Sequence, residues 1–175
     1  AVLGAELKSV RKDPSLKIYN ETVPLPFRVS EITPDLIRRH AEEIRPLKNQ
    51  FRTWPEDVTR WEKRMLQELK EGKVKNYRPV AIGSLRIGTI VLLFSQGEPF
   101  HSYQMEMRKR SKAKQLLFMG YTNGQNCYLP DAQAFQEGGY EVDQMYIYIG
   151  APYPLSDKTP QLYLSALEKA VDQVR

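Results

Sequence analysis

Five consecutive apolar residues, Ile90-Val91-Leu92-Leu93-Phe94, lie between Gly88 and the polar turn Ser95-Gln96-Gly97-Glu98. A run this short and this continuous reads as a strand buried on both faces, because a half-solvated strand alternates apolar with polar. Leu116-Leu117-Phe118-Met119, stopped by Gly120, reads as a second short buried strand. Pro99 suits the first turn of a helix that would carry Phe100, Tyr103, Met105 and Met107 to about Lys112. Strand, turn, helix, strand is the order of a βαβ unit, here around residues 80–122. Val80, Ile82, Leu85 and Ile87, set about Gly83-Ser84, belong to the same core. The fold class expected is therefore α/β, with ligand chemistry beyond the carboxyl ends of the strands. That rule places Glu98 and the loop Asn123 to Tyr128 on one edge.

The flanking segments are read from periodicity and punctuation. Leu3, Leu7 and Val10 mark one face of a helix over residues 1–12, ended at Asp13-Pro14 and too short to stand without a partner. Leu16 to Phe27 carries apolar residues among polar ones, and Pro24 and Pro26 confine its second half to an edge strand or an extended arm. Thr33-Pro34-Asp35 starts a helix with the stripe Leu36, Ile37, Ala41 and Ile44. A second helix runs from Pro55 to Leu69, with Trp61 and Met65 as packing residues and His40 structural or solvated on the first. Asp131 to Glu137 reads as a short helix, Met145 to Ile149 as a strand, and Gln161 to Val174 as an amphipathic helix. The division that follows is a helical and extended arm over 1–76 and an α/β core over 77–175.

At 175 residues with 41% hydrophobic content the chain suffices for one sizeable core. The net charge of +5 comes from lysines and arginines spread over helix surfaces, and the one dense run, Arg108 to Lys114, reads as the cation-rich end of a helix. Aromatic and basic residues do not interleave on one face, so no nucleic-acid partner is expected. A single cysteine, Cys127, excludes an internal disulfide. No apolar run reaches the length of a transmembrane helix. The first residues, Ala1 to Leu7, lack an initiator Met and read as the middle of a helix, so a fragment of a longer protein is expected, with a large apolar patch where the remainder packs.

Three side chains carry chemistry at strand ends and turns. Glu98 is either a first-turn acid favoured by the helix dipole or the carboxylate of a site. Tyr128, before Leu129-Pro130, either packs a turn or presents a phenol. Tyr140, after Gly138-Gly139, is either an edge aromatic or a hydrogen-bond donor to a reacting group. His101, three residues after Glu98, faces the same place if the helix begins at Pro99.

Gln96-Gly97-Glu98-Pro99-Phe100, the Gly120 to Tyr128 loop and Gly139-Tyr140-Glu141 together resemble the last part of the catalytic domain of the neutral ceramidase family, also called neutral/alkaline or non-lysosomal, and its bacterial relatives. The resemblance is weak from Leu3 and convincing from about Val80 to Glu141. It implies a layered sandwich of β-sheets flanked by helices. It also implies zinc held by Glu98 and Tyr128, and Tyr140 as the catalytic group that positions the scissile amide and stabilises its oxyanion. Tyr140 follows Tyr128 by twelve residues, as in the family.

Ser95-Gln96-Gly97-Glu98 stands where the family has Leu-Pro-Gly-Glu, and Pro99-Phe100-His101-Ser102 replaces its small polar residues, which points away from ceramide itself. The family's histidine ligands and nucleophilic serine segment are not found in this sequence. The resemblance thus implies the C-terminal portion of a zinc amidohydrolase of sphingolipid-like or other N-acyl substrates. Such a portion is active only with the N-terminal part of the same protein, and a secreted, periplasmic or membrane-associated setting is implied. The alternative is a non-catalytic binding or interaction domain on the same scaffold.

Overall fold

The computed structural model describes residues 15–47, 51–125 and 127–175. The helix expected over 1–12 lies outside the described residues. The fold is α/β. Strands β1 (Leu16–Pro26), β2 (Tyr77–Ile87), β3 (Ile90–Ser95) and β5 (Gln115–Met119) form one sheet in the order β1-β2-β3-β5. The first two pairings are antiparallel and β3 with β5 is parallel. A parallel pair requires a crossover, and helix α3 (His101–Arg110) supplies it. β1 is an edge strand along its whole length, the one place where a strand tolerates Pro24 and Pro26.

Alternation along the strands sorts the sheet into two faces. Val23, Leu25, Val80, Ile82, Val91 and Leu93 are buried against Tyr163, Leu167 and Val171 of the C-terminal helix α6 (Thr159–Val174). Each fully buried aliphatic side chain here contributes about 1.5–3 kcal/mol. Leu16, Ile18, Ile87, Ile90, Leu117 and Met119 point the other way and are exposed, Leu16 at 68% and Ile18 at 69%. β3 is thus covered on one face only, against the expectation of burial on both: the α6 helix and α3 lie on one side, and nothing among the described residues covers the other. Gly83 keeps it flat, since a Cβ there would fall 2.4 Å from the Phe94 ring.

Helices α1 (Pro34–Ile44) and α2 (Trp54–Lys70) build a second core with Phe27, Tyr146, Ile147 and Ala151. Thr33 caps α1 by accepting from the Leu36 amide at 3.1 Å. Trp54 and Trp61 each donate their indole N–H to a buried carbonyl, Ile44 O and Ala151 O, both at 2.8 Å. Ile149 and Leu155 pack against both cores.

The segment expected as a strand over Met145 to Ile149 is instead a 3₁₀ turn, Met145–Ile147. Its three residues are all buried, so the alternation that marks a strand has no solvent side to express. The crossover helix also begins two residues later than expected, at His101, because Glu98–Pro99 is held as a short strand, β4. Among the described residues no helix is long and apolar enough to cross a membrane.

His40 is a packing residue of the second core. Its Nε2 lies 2.7 Å from the Tyr146 hydroxyl, and the rings of Trp61 and Tyr153 enclose it. Burial lowers its pKa, outweighing the opposing pull of Glu43. Folding therefore favours the neutral ring. Its contribution is fully present above about pH 6.5 and is lost as pH falls toward the folded-state pKa. Unfolding free energies from urea titrations between pH 7.5 and 5 should fall with a slope no steeper than about 1.4 kcal/mol per pH unit, and His40→Gln should remove that component of the slope. A wild-type slope shared by the variant would assign it elsewhere.

Candidate functional site

β3 ends at Ser95, and the chain must then turn sharply to form β4. Gly97 makes the turn in the left-handed region, φ +77°, with its carbonyl accepting from Tyr121 N at 2.8 Å and its amide donating to Gly124 O at 3.1 Å. β4 then pairs in parallel with β6 (Tyr128–Leu129), and the register sets Glu98 opposite Tyr128. Glu98 N donates to Cys127 O at 2.8 Å, and Phe100 N to Leu129 O at 3.1 Å. Two residues thirty apart in sequence are thereby fixed side by side, on the edge where the strand-end rule put them.

The Glu98 carboxylate is the focus of the arrangement. Gln125 donates its amide to Oε1 at 2.6 Å. The phenols of Tyr121 and Tyr128 stand beside the carboxylate in the same hollow. Burial, with the Glu98 carboxylate close by, pushes the Tyr128 phenol up to about 12, so it is neutral at ordinary pH. Glu98, Tyr121 and Tyr128 line an open hollow of about 360 Å³, whose remaining wall includes Phe100, His101, Gln104 and Phe118. His101 opens α3, and it reaches this wall although the helix does not start at Pro99.

Tyr140 begins a one-turn helix, α5 (Tyr140–Asp143), that the pair Gly138-Gly139 makes possible through two positive φ angles, +71° and +109°. Asp143 closes that turn, accepting from Gly139 N at 2.9 Å and pairing with Arg28 at 2.8 Å. The Tyr140 ring stands edge-on to Tyr128, centroids 6.2 Å apart, and edge-on to Phe51 at 5.6 Å. Its hydroxyl donates to Met145 Sδ at 3.1 Å and not to Glu98. Burial raises its pKa, with Glu141 and Glu98 adding to the effect. The three sequence candidates are thus neighbours, two paired across a strand ladder and the third in ring contact.

Four participants carried no assignment from sequence. Tyr121 and Gln125 lie inside the Gly120 to Tyr128 loop; Gln125 reaches the Glu98 carboxylate and Tyr121 lines the hollow beside it. Tyr148 and Asp57 extend the aromatic row behind Tyr140: Tyr148 donates to Asp57 Oδ2 at 3.1 Å and is pushed up to about 12, first by burial and then by that carboxylate. The loop residues had a signal, an aromatic directly after a strand-ending glycine. Tyr148 and Asp57 are 91 residues apart, and no local pattern joins them.

No protein-family model, curated protein or solved structure matches this chain. The chemistry therefore has to be read from the donors themselves. Buried Cys127 is not among them, because burial pushes its thiol up to about 12 and leaves it protonated and inert. A carboxylate beside a phenol offers two hard oxygen donors, which suits part of a zinc shell, for which carboxylate oxygens bind at about 2.0–2.2 Å. Among the described residues no group of three or more His, Cys, Asp or Glu side chains is gathered to complete such a shell.

Proposed function

We propose that this chain is the C-terminal portion of a ceramidase-like zinc amidohydrolase that cleaves an N-acyl or related amide bond, lipid amides included, when joined to its N-terminal part. The observation that carries the reading is the β4–β6 ladder, which sets Glu98 beside Tyr128 at the mouth of a hollow. Glu98 and Tyr128 would hold the metal from one side. Zinc, when bound, would polarise the amide carbonyl and lower the pKa of a bound water to roughly 7.

The other steps belong to the chain's own groups. Tyr140, held in ring contact with Tyr128, turns its phenol from Met145 Sδ toward the developing oxyanion. Phe100 and Phe118 keep one wall of the hollow apolar and so favour an acyl chain over a polar group. The remaining ligands and the nucleophile come from the N-terminal part, and the uncovered sheet face offers that part an apolar surface.

The test is zinc content and hydrolysis of a short N-acyl panel by the chain joined to its N-terminal part. Near-stoichiometric zinc should fall with Glu98→Ala and with Tyr128→Phe. Tyr140→Phe should retain the metal and lose about 10²–10³-fold in kcat, the usual cost of deleting an oxyanion donor. A folded protein with neither zinc nor turnover would sink the reading. That result would leave the alternative, a binding domain, which one observation favours: the Glu98 carboxylate already accepts the Gln125 amide of its own chain.

A further inference from the structure

The hollow beside the β4–β6 ladder is walled by four aromatic rings, Phe100, Phe118, Tyr121 and Tyr128, and by a single carboxylate, Glu98. At about 360 Å³ it falls within the span of small-molecule sites, about 300–1,000 Å³. Among the described residues no lysine, arginine or histidine forms an ion pair with Glu98, whose carboxylate accepts from the neutral Gln125 amide at 2.6 Å. Of the lining side chains only His101 can take up a positive charge. The Glu98 charge is thus held in place by a backbone ladder and an amide, and its balancing cation is left to a ligand. Tyr121 stands at this wall 57% exposed, on a left-handed backbone, φ +56°, that a tyrosine does not favour. Backbone bonds impose that conformation: Tyr121 N donates to Gly97 O at 2.8 Å and Thr122 N to Ser95 O at 3.0 Å. Packing gains little from an exposed ring, and strain of this kind persists at ligand clamps and active sites.

We propose that this hollow binds an alkylated ammonium group, with Glu98 as its counter-ion and the rings of Phe100, Phe118, Tyr121 and Tyr128 as its wall. Such a cation is drawn to the negative faces of aromatic rings, more strongly where water is displaced. Its nitrogen carries no N–H that an apolar wall would leave unpaired, which a primary ammonium would. An anion would be repelled by Glu98, and a neutral apolar group would shield that charge without balancing it. One carboxylate also balances one positive charge. The inference does not rest on the zinc reading: it concerns what the walls of the hollow accept, and a metal at Glu98 and an organic cation exclude one another.

Isothermal titration of choline into the full-length protein, with metal removed by chelation, tests this directly. The control ligand is its uncharged isostere, the alcohol with carbon in place of the ammonium nitrogen. Choline should bind saturably, and the isostere about 10-fold more weakly, since it loses both the ring attraction and the ion pair. Glu98→Gln should weaken choline about 2–5-fold and leave the isostere unchanged. Tyr121→Leu keeps an apolar side chain but no ring and should weaken choline about 2–30-fold, whereas Tyr121→Phe should bind it as the wild type does. Retention of the protein by phosphatidylcholine vesicles would assign the group to a lipid headgroup, and binding of choline without such retention would assign it to a free solute. Equal affinity for choline and its isostere would overturn the proposal, and so would wild-type affinity in a Glu98→Gln variant that is folded by circular dichroism. Failure of choline to bind saturably would overturn it too. A protein that takes up no zinc but discriminates choline from its isostere would sink the zinc reading and leave this inference standing.

Discussion

Replacing Gly97 with alanine should cost about 3–4 kcal/mol of stability and separate Glu98 from Tyr128. Two independent causes combine. The residue has φ +77°, where a side chain costs about 1–2 kcal/mol. The added Cβ would also lie 2.4 Å from Cys127 O, a backbone atom that is itself the acceptor for Glu98 N. No rotamer change relieves a clash with backbone, so β4 and β6 must move apart, which adds a loss of the size seen when buried contacts are broken. Gly72→Ala is the matched control, with φ +68° and open space around the missing Cβ. Urea titrations of the two variants should differ by about 2 kcal/mol, the part due to contact alone. Tyrosine ring resonances should shift at Tyr128 and Tyr140 only in Gly97→Ala. Equal losses in both variants would mean that the close approach at Gly97 is immaterial.

Trp61→Ala should be the most damaging substitution in the helical half, at about 3–5 kcal/mol. The side chain is 2% exposed and lies where α1, α2 and the segment Tyr146 to Ala151 converge. Its ring meets His40 and Tyr146 edge-on, at 5.9 and 5.6 Å. Truncation leaves a large cavity and, in addition, strips Ala151 O of its indole donor. Trp61→Phe separates the two contributions: most of the packing stays, the hydrogen bond goes, and the loss should shrink to about 1–3 kcal/mol. Denaturation monitored by far-UV circular dichroism reads both. A Trp61→Phe loss as large as that of alanine would mean that the hydrogen bond, and not the ring, holds the three segments together.

Much of the scaffold was legible in the residues because its signals are local. The proline at N1 and threonine cap at Thr33-Pro34 mark a helix start by chemistry confined to four positions, and the helix begins there. The parallel pairing of β3 and β5 followed from two apolar runs separated by a helical stretch. Ile90 to Phe94 shows where such reading stops. Five apolar residues specify two apolar faces, but they do not say whether a chain segment lies over each, and among the described residues only one is covered. Met145 to Ile147 failed for a related reason, since complete burial erases the periodicity that separates a strand from a turn.

At the candidate site, the sequence identified Glu98 and Tyr128 as neighbours through the rule about strand ends. It did not identify the loop's own contribution. Gln125 reaches Glu98 because the loop turns through left-handed Tyr121 and Asn123 and is tied to Gly97 and Ser95 by bonds that no spacing encodes.

The ladder that joins Glu98 to Tyr128 is two residues long on each side, while the sheet behind it pairs β1 with β2 over eleven. The two therefore open at different free energies. Short pairings at the rim of a domain part by local fluctuation, far more often than the core unfolds. A preparation can then be entirely native by melting temperature or circular dichroism while the carboxylate and the phenol spend appreciable time apart. The integrity of the site is a separate equilibrium from the integrity of the fold, and a substitution that only loosens the rim, without a backbone clash such as that at Gly97, can abolish the one without registering in the other.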